Sequence, residues 1–305
     1  MLIDKSHFPQ LHRLATLQLN ICPEQEKLFE RRFAGEDAAS LTHLEWLAGN
    51  VAKLIAGAEH DFLDDYRWLC ERQIEEELHF RRTGSYRLQT FAQALEQVYA
   101  NAAYMKRYMN GLLMTQVWWS NHTSVMDFFR NTYLPMLATN YSHLEIGPGH
   151  GLFLALTAED PRCDTATGWD ISETSIERTH HALQALAPSR MPDLVLQDLF
   201  TSPDAQFDSV VFSEVLEHME KPRAALNSIR TLLAPKGLLF LHMPINSPAP
   251  DHLFNLETPS ALRSFLEAGG FRVLKEHLAP ATNQRLDRSI SKKLTISCAY
   301  ILEAA

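Results

Sequence analysis

The chain has 305 residues, 46% hydrophobic and 21% charged, with a net charge of −9 from 28 basic and 37 acidic side chains. That is ordinary for a globular protein of one large domain or two modest ones, long enough to bury a core without staples. The acidic balance argues against nucleic acid as a partner, since phosphate binding needs a basic surface. No window approaches the roughly 20 apolar residues of a membrane span, and no cleavable leader is expected. Cys22, Cys70, Cys163 and Cys298 are too scattered for a zinc site or a disulfide framework. A cytoplasmic protein with reduced thiols and no resident metal is expected.

The first 130 residues read as helical. Leu41, Leu44, Leu47, Val51, Leu54 and Ala58 recur at three- and four-residue spacing, which places them on one helix face. Thr42 and Glu45 have the spacing of a capping box for that helix. Helical signal continues over 60–81, where Glu75, Glu76 and Glu77 read as a solvated face. Thr83-Gly84-Ser85 reads as a turn. Further helical runs cover about 87–115 and 121–131, and Pro135 closes the region. Tyr104 and Tyr108 are four apart on one helix face, and Trp118, Trp119, Asn121 and His122 follow closely. Core packing accounts for aromatics at such spacing. An aromatic lid over a cationic ligand is the second reading, behind core packing.

After Pro135, short apolar runs alternate with amphipathic segments. The expected strands are His143–Ile146, Thr167–Asp170, Asp193–Gln197, Ser209–Phe212, Leu238–His242, Phe271–His277 and Leu294–Leu302. Alternation with helices implies a parallel sheet covered on both faces. The last two runs are parted only by a polar loop and read as a hairpin, so one of them runs antiparallel. His180 and His181 read as solvent-facing, and Trp169 as strand-edge packing.

The first strand ends in Leu144-Glu145-Ile146-Gly147-Pro148-Gly149-His150-Gly151. Glycines between a strand end and a helix start let backbone bend sharply and approach a ligand closely. Asp170, 19 residues past Gly151 at the tip of the second strand, suits a ribose diol. Gln197-Asp198-Leu199-Phe200 after the third strand offers a carboxylate and apolar neighbours to an adenine.

This series resembles the class I S-adenosylmethionine-dependent methyltransferases. The glycine spacing departs from the GxGxxG of NAD-binding domains. Phe207–His218, Leu233–Leu238, Asp251–Phe254, Thr258-Pro259 and Gly269-Gly270-Phe271 resemble later motifs of that family. The resemblance covers roughly 130–305. It implies an α/β fold, a Rossmann-like methyltransferase domain with a seven-stranded sheet whose last strands are antiparallel, preceded by an N-terminal all-helical domain. The boundary is expected at 130/131, with 1–130 as a lid, substrate or dimerisation domain. The cofactor implied is S-adenosylmethionine. Glu145, Gly147, Gly149 and Gly151 would face its methionine end, Asp170 and Ile171 its ribose, Asp198 and Leu199 its adenine, and Ser213 the sulfonium region, while His218 fits the family pattern after the fourth strand, where it is more often structural. Tyr104, Tyr108, Asn121, His122 and His252 are the catalytic candidates, with His242 behind them.

Three readings remain open from sequence. One is a small-molecule methyltransferase of secondary metabolism. The second is an azetidine-2-carboxylate synthase, which cyclises the cofactor without an acceptor. The third is a scaffold that binds cofactor without catalysis. A homodimer contact through the helical half is a further expectation.

Overall fold

The computed structural model describes residues 3–201 and 204–305. The chain divides into two compact units. One comprises residues 1–124 with 248–252 and 280–285, and the other comprises 125–247 with 253–279 and 286–305.

The first unit is helical: α1 (Pro9–Ile21), α2 (Glu26–Phe33), α3 (Ala38–Leu54), α4 (Glu59–Thr83), α5 (Phe91–Ala94), α6 (Ala102–Trp118) and the start of α7 (Ser120–Phe128). Leu44, Leu47 and Val51 of α3 are buried, as their spacing requires. The capping box expected at Thr42 and Glu45 does not form. Asp37 caps α3 by accepting from Ser40 N at 2.8 Å, and Thr42 lies inside the helix, donating to Ala38 O. Glu45 instead reaches across to the start of α1, accepting from Gln10 N at 2.9 Å and Leu11 N at 2.8 Å. It satisfies two of the orphan donors that every helix start exposes. Glu76 is another correction. It is buried, and both its oxygens accept from Arg87 Nε, at 2.8 and 3.0 Å, so it is not part of a solvated face.

The run expected over 87–115 is broken. Thr90 and Gln93 form a capping box for α5, a π-helical turn covers Leu95–Tyr99, and Asn101 starts α6 by accepting from Tyr104 N. A short amide side chain competes with the helix for backbone donors, so Asn101 marks a start within the helical periodicity. α4 and α6 cross closely at Gly111, where a Cβ would lie 2.7 Å from Leu69 Cβ and 2.8 Å from Asp65 O.

The second unit is a seven-stranded sheet: β1 (Tyr141–Ile146), β2 (Cys163–Asp170), β3 (Asp193–Leu196), β4 (Phe207–Ser213), β5 (Leu233–Ile245), β6 (Phe271–Pro280) and β7 (Ile296–Ala304). The helices between them are α8 (Leu152–Ala158), α9 (Glu173–Leu186), α10 (Pro222–Leu232), α11 (Pro259–Ala268) and α12 (Leu286–Lys292). The order is β3-β2-β1-β4-β5-β7-β6. β1 to β5 pair in parallel and β7 runs antiparallel to β5. The last two strands are neighbours and β7 runs antiparallel, as expected, but their connection is not a bare polar loop: α12 lies between them, and β7 inserts between β5 and β6.

Alternate residues of each strand feed two cores. Leu144, Val210, Phe212, Leu239 and Leu241 pack with α10 and α11 on one face. Tyr141, Val211 and Phe240 pack on the other with Phe128, Phe129 and Tyr133 from the segment that enters the sheet. Strand order reverses between β1 and β4. That is where an open α/β sheet leaves a crevice beyond its strand ends.

Candidate active site

The loop after β1 is shaped by its glycines. Gly147 has φ +70°, and a Cβ there would lie 2.8 Å from Val215 Cγ2. Gly151, φ +69°, starts α8 in the left-handed region. Gly149 also has positive φ, and its carbonyl accepts from Thr179 Oγ1 at 2.8 Å. Sequence reading missed Thr179. It is an internal α9 residue whose role comes from tertiary contact alone.

Glu145 is 3% exposed on β1. Its carboxyl accepts from Leu154 N in the first turn of α8, while Oε2 has no hydrogen-bond partner. Burial raises its pKa well above the ordinary carboxylate value. A buried oxygen without a partner is costly unless a ligand or water completes it. The register places three more polar groups on the same sheet face. Glu145 pairs with Gly168, two residues before Asp170, and with Val211, two residues before Ser213, and Ser213 pairs with His242 of β5. Side chains two apart on a strand share a face, so Glu145, Asp170, Ser213 and His242 form a row across β2, β1, β4 and β5.

Asp170 is half-buried at the tip of β2, with Oδ1 accepting from Ser172 N at 2.9 Å, and burial raises its pKa. Ile171 beside it is 62% exposed. Asp198 is exposed, and its Oδ1 accepts from Phe200 N. Leu199 turns into the sheet core, and Phe200 is the residue that shows its ring, 48% exposed. The strand tips of β2 and β3 thus carry carboxylates beside exposed apolar surface, a fit for a nucleoside. His218 ends a 3₁₀ turn after β4 and is half-buried.

Ser213 Oγ lies 3.1 Å from His242 Nδ1, and His242 Nε2 lies 2.9 Å from Glu214 Oε1. Glu214 has φ +54°, unusual for a residue with a side chain, and its N–H donates to His242 O at 2.9 Å. Sequence reading ranked His242 behind His122 and His252. Only strand register brings it to Ser213.

In the helical unit, Tyr108 donates to Asp251 Oδ1 at 2.8 Å and Tyr99 to Oδ2 at 3.1 Å. Neither Asp251 nor Tyr99 was singled out as a site residue, and no spacing connects residues 152 apart. Burial, with the Asp251 charge, raises Tyr108 well above the usual phenol value. Tyr104 is half-buried against Trp68, and burial pushes it up to about 12. His252 is buried and packs edge-on to Tyr86. His122 belongs to another group: its Nδ1 meets Thr115 Oγ1 at 2.9 Å and Gln116 Nε2 at 3.3 Å, with its ring against Trp119. Asn121 beside it is buried. Tyr108 and Thr115 share a face of α6 but stand two turns apart, roughly 10 Å along the axis.

Among the described residues no helix is long and apolar enough to cross a membrane. A family model described as a methyltransferase domain matches residues 118–286. A ubiquinone biosynthesis O-methyltransferase of Neisseria meningitidis serogroup C is 29% identical over 147 residues, 48% of this chain and 60% of the relative. One of Idiomarina loihiensis is 32% identical over 98 residues, 32% of this chain and 40% of the relative. The chain therefore matches 60% or less of the length of these curated relatives. The solved structure of the mitomycin 7-O-methyltransferase MmcR superposes with a TM-score of 0.50 at 15% identity, covering 88% of this chain and 76% of that one, a likeness of fold.

Proposed function

Because the chain belongs to the methyltransferase-domain family, we propose that it transfers the methyl group of S-adenosylmethionine to a small-molecule acceptor, in the cytoplasm. The observation that carries this reading is the buried Glu145 oxygen without a partner, set behind a three-glycine loop at the point where strand order reverses. Oε2 is suited to accept from the ammonium of the cofactor's methionine end, and the positive-φ glycines leave the backbone bare beside it. Asp170 would accept from the ribose hydroxyls. Asp198, with Ile171, Phe200 and the backbone of Leu199, would hold the adenine. Ser213 and His218 would flank the sulfonium. When bound, the cofactor supplies an electrophilic methyl group, and the chain's own residues orient the acceptor and take its proton.

Tyr104, Asn121, His122 and His252 are proposed to meet the acceptor. Tyr108 is proposed to act by holding Asp251, since its hydroxyl is engaged there. An acidic charge balance and the absence of any long basic run in the sequence support a small acceptor over a nucleic acid. Free thiols at all four cysteines support a reducing compartment. The kinship to O-methyltransferases supports methyl transfer over intramolecular cyclisation.

Incubation of the purified chain with S-adenosylmethionine alone, beside a protein-free control, tests that preference. The expected result is bound cofactor, consumed only when an acceptor is added, with S-adenosylhomocysteine as product. Methylthioadenosine and azetidine-2-carboxylate formed above the control would overturn the reading in favour of cyclisation.

A further inference from the structure

Ser213, His242 and Glu214 lie in one line at the C-terminal ends of β4 and β5. Ser213 and Glu214 are half-buried and His242 only 3% exposed, so of the hydrogen-bonded Ser213–His242 pair Ser213 is the more accessible. Ser213 Oγ is hydrogen-bonded to Nδ1 at 3.1 Å, and Glu214 Oε1 lies at ion-pair distance from Nε2, 2.9 Å, without the alignment of a hydrogen bond. The Glu214 carboxylate places its charge beside Nε2, and the Glu214 N–H donates to the His242 carbonyl. That backbone hydrogen bond coincides with a left-handed conformation at Glu214, φ +54°. Strain of this kind persists where the surroundings over-determine it, and it gathers at working sites. A carboxylate at Nε2 favours the tautomer with its proton there, leaving the Nδ1 lone pair to accept from the Ser213 hydroxyl.

We propose that Ser213, His242 and Glu214 form a proton relay that deprotonates a hydroxyl-bearing acceptor as it is methylated, with His242 and Glu214 as positioning residues behind Ser213. The proposal rests on the methyl-transfer reading. The acceptor O–H bond breaks as the O–CH3 bond forms, and the electron pair of the methyl–sulfur bond stays on sulfur. The acceptor proton passes to Ser213 Oγ, and the Ser213 proton passes to His242 Nδ1. The imidazolium then faces the Glu214 carboxylate, which stabilises it. A hydroxyl needs such help because it is a weak nucleophile until its proton leaves. A tertiary amine or an already ionised thiolate does not.

The groups around His242 suit this role. Glu214 faces it from β4. From β6, His277 lies close enough for a charge on His242 to lower its pKa, which burial lowers as well. Above that face, α7 and the π-helical turn Phe129–Tyr133 contribute Asp127 and Arg130, and the Asp127 charge acts on His277 in the opposite sense.

The test uses the full chain, labelled with 15N-histidine and saturated with S-adenosylhomocysteine, with ring nitrogens read by long-range proton–nitrogen correlation. His242→Gln assigns the signal. The expected spectrum has Nε2 protonated and Nδ1 bare, with Nδ1 shifting in Ser213→Ala. A proton on Nδ1 would overturn the relay, since that tautomer cannot take the serine proton. In parallel, tritiated S-adenosylmethionine is offered with a graded series of phenols and alcohols. His242→Gln and Ser213→Ala should lower turnover about 100-fold, the usual worth of a general base, with cofactor affinity in His242→Gln within about twofold of wild type by calorimetry. The variants' rates should also rise more steeply with acceptor acidity than wild type's, which a structural role alone would not produce. Wild-type turnover in both variants overturns the relay and leaves methyl transfer standing. Failure of the wild-type chain to bind S-adenosylmethionine overturns the reading on which the relay rests.

Discussion

His143 sits in the middle of β1, fully buried, with Nδ1 2.8 Å from Ser209 Oγ. Tyr133 reaches the same hydroxyl at 2.8 Å. Burial pushes the imidazole down to about 3. The folded chain therefore leaves it neutral over a range in which the unfolded chain protonates it near 6.5. Stability is lost as pH falls through that window, by about 1.4 kcal/mol per unit at most. Glu145 has the opposite sign, because burial raises it and the folded chain keeps a proton that the unfolded chain releases. A comparison of wild type with His143→Gln cancels the Glu145 contribution. Denaturant titrations from pH 7 to pH 4 should show wild type losing more stability than the variant, and parallel curves would refute the assignment. Sequence periodicity placed His143 on a strand but carried no sign of its burial, which follows from β2 and β4 on either side and the helical segment above.

Helix contacts divide the glycines of the first unit into two kinds. At Gly111 a methyl group would press into Leu69 and the Asp65 carbonyl, whereas at Gly49 nothing lies within 4 Å. Gly111→Ala should destabilise by about 1–3 kcal/mol through overpacking. Gly49→Ala, inside α3, should stabilise by about 0.5–1 kcal/mol, because alanine favours the helix and meets no obstacle. Thermal melts of the two variants should move in opposite directions. Much of this architecture was legible from spacing: the glycine turn at Gly84, the buried face of α3, all seven strands and the cofactor loop announce themselves through local chemistry. What stayed hidden depends on partners far away in the chain. Glu45 capping α1 and Asp251 between Tyr99 and Tyr108 are tertiary choices that no window of ten or fifteen residues contains, and Arg87 meets Glu76 only because the chain turns back at Gly84. His242 was visible as a residue but not as a partner of Ser213, since register is decided by the whole sheet.

At the scale of the whole molecule, cofactor binding and protonation should be linked. Glu145 holds a proton more tightly than an ordinary carboxylate because it is buried, and a cationic ammonium at Oε2 would favour the ionised form. Binding should release up to about one proton, and affinity should rise with pH until Glu145 ionises without ligand. Calorimetry in buffers of different ionisation enthalpy reads this directly, and a buffer-independent heat would count against it. Asp170→Ala should weaken binding by roughly 100- to 10,000-fold, two hydrogen bonds to a charged acceptor being worth about 1.5–3 kcal/mol each. Unchanged affinity would remove Asp170 from the site. The place of β7 has another consequence, for synthesis. β6 leaves the ribosome before β7 but lies outside it in the sheet, so until β7 emerges the outer edge of β5 is unpaired and β6 has nothing to join. A nascent chain stalled before residue 296 would present the apolar edge of Leu238–Ile245 to other chains, an invitation to aggregation that only the last strand withdraws.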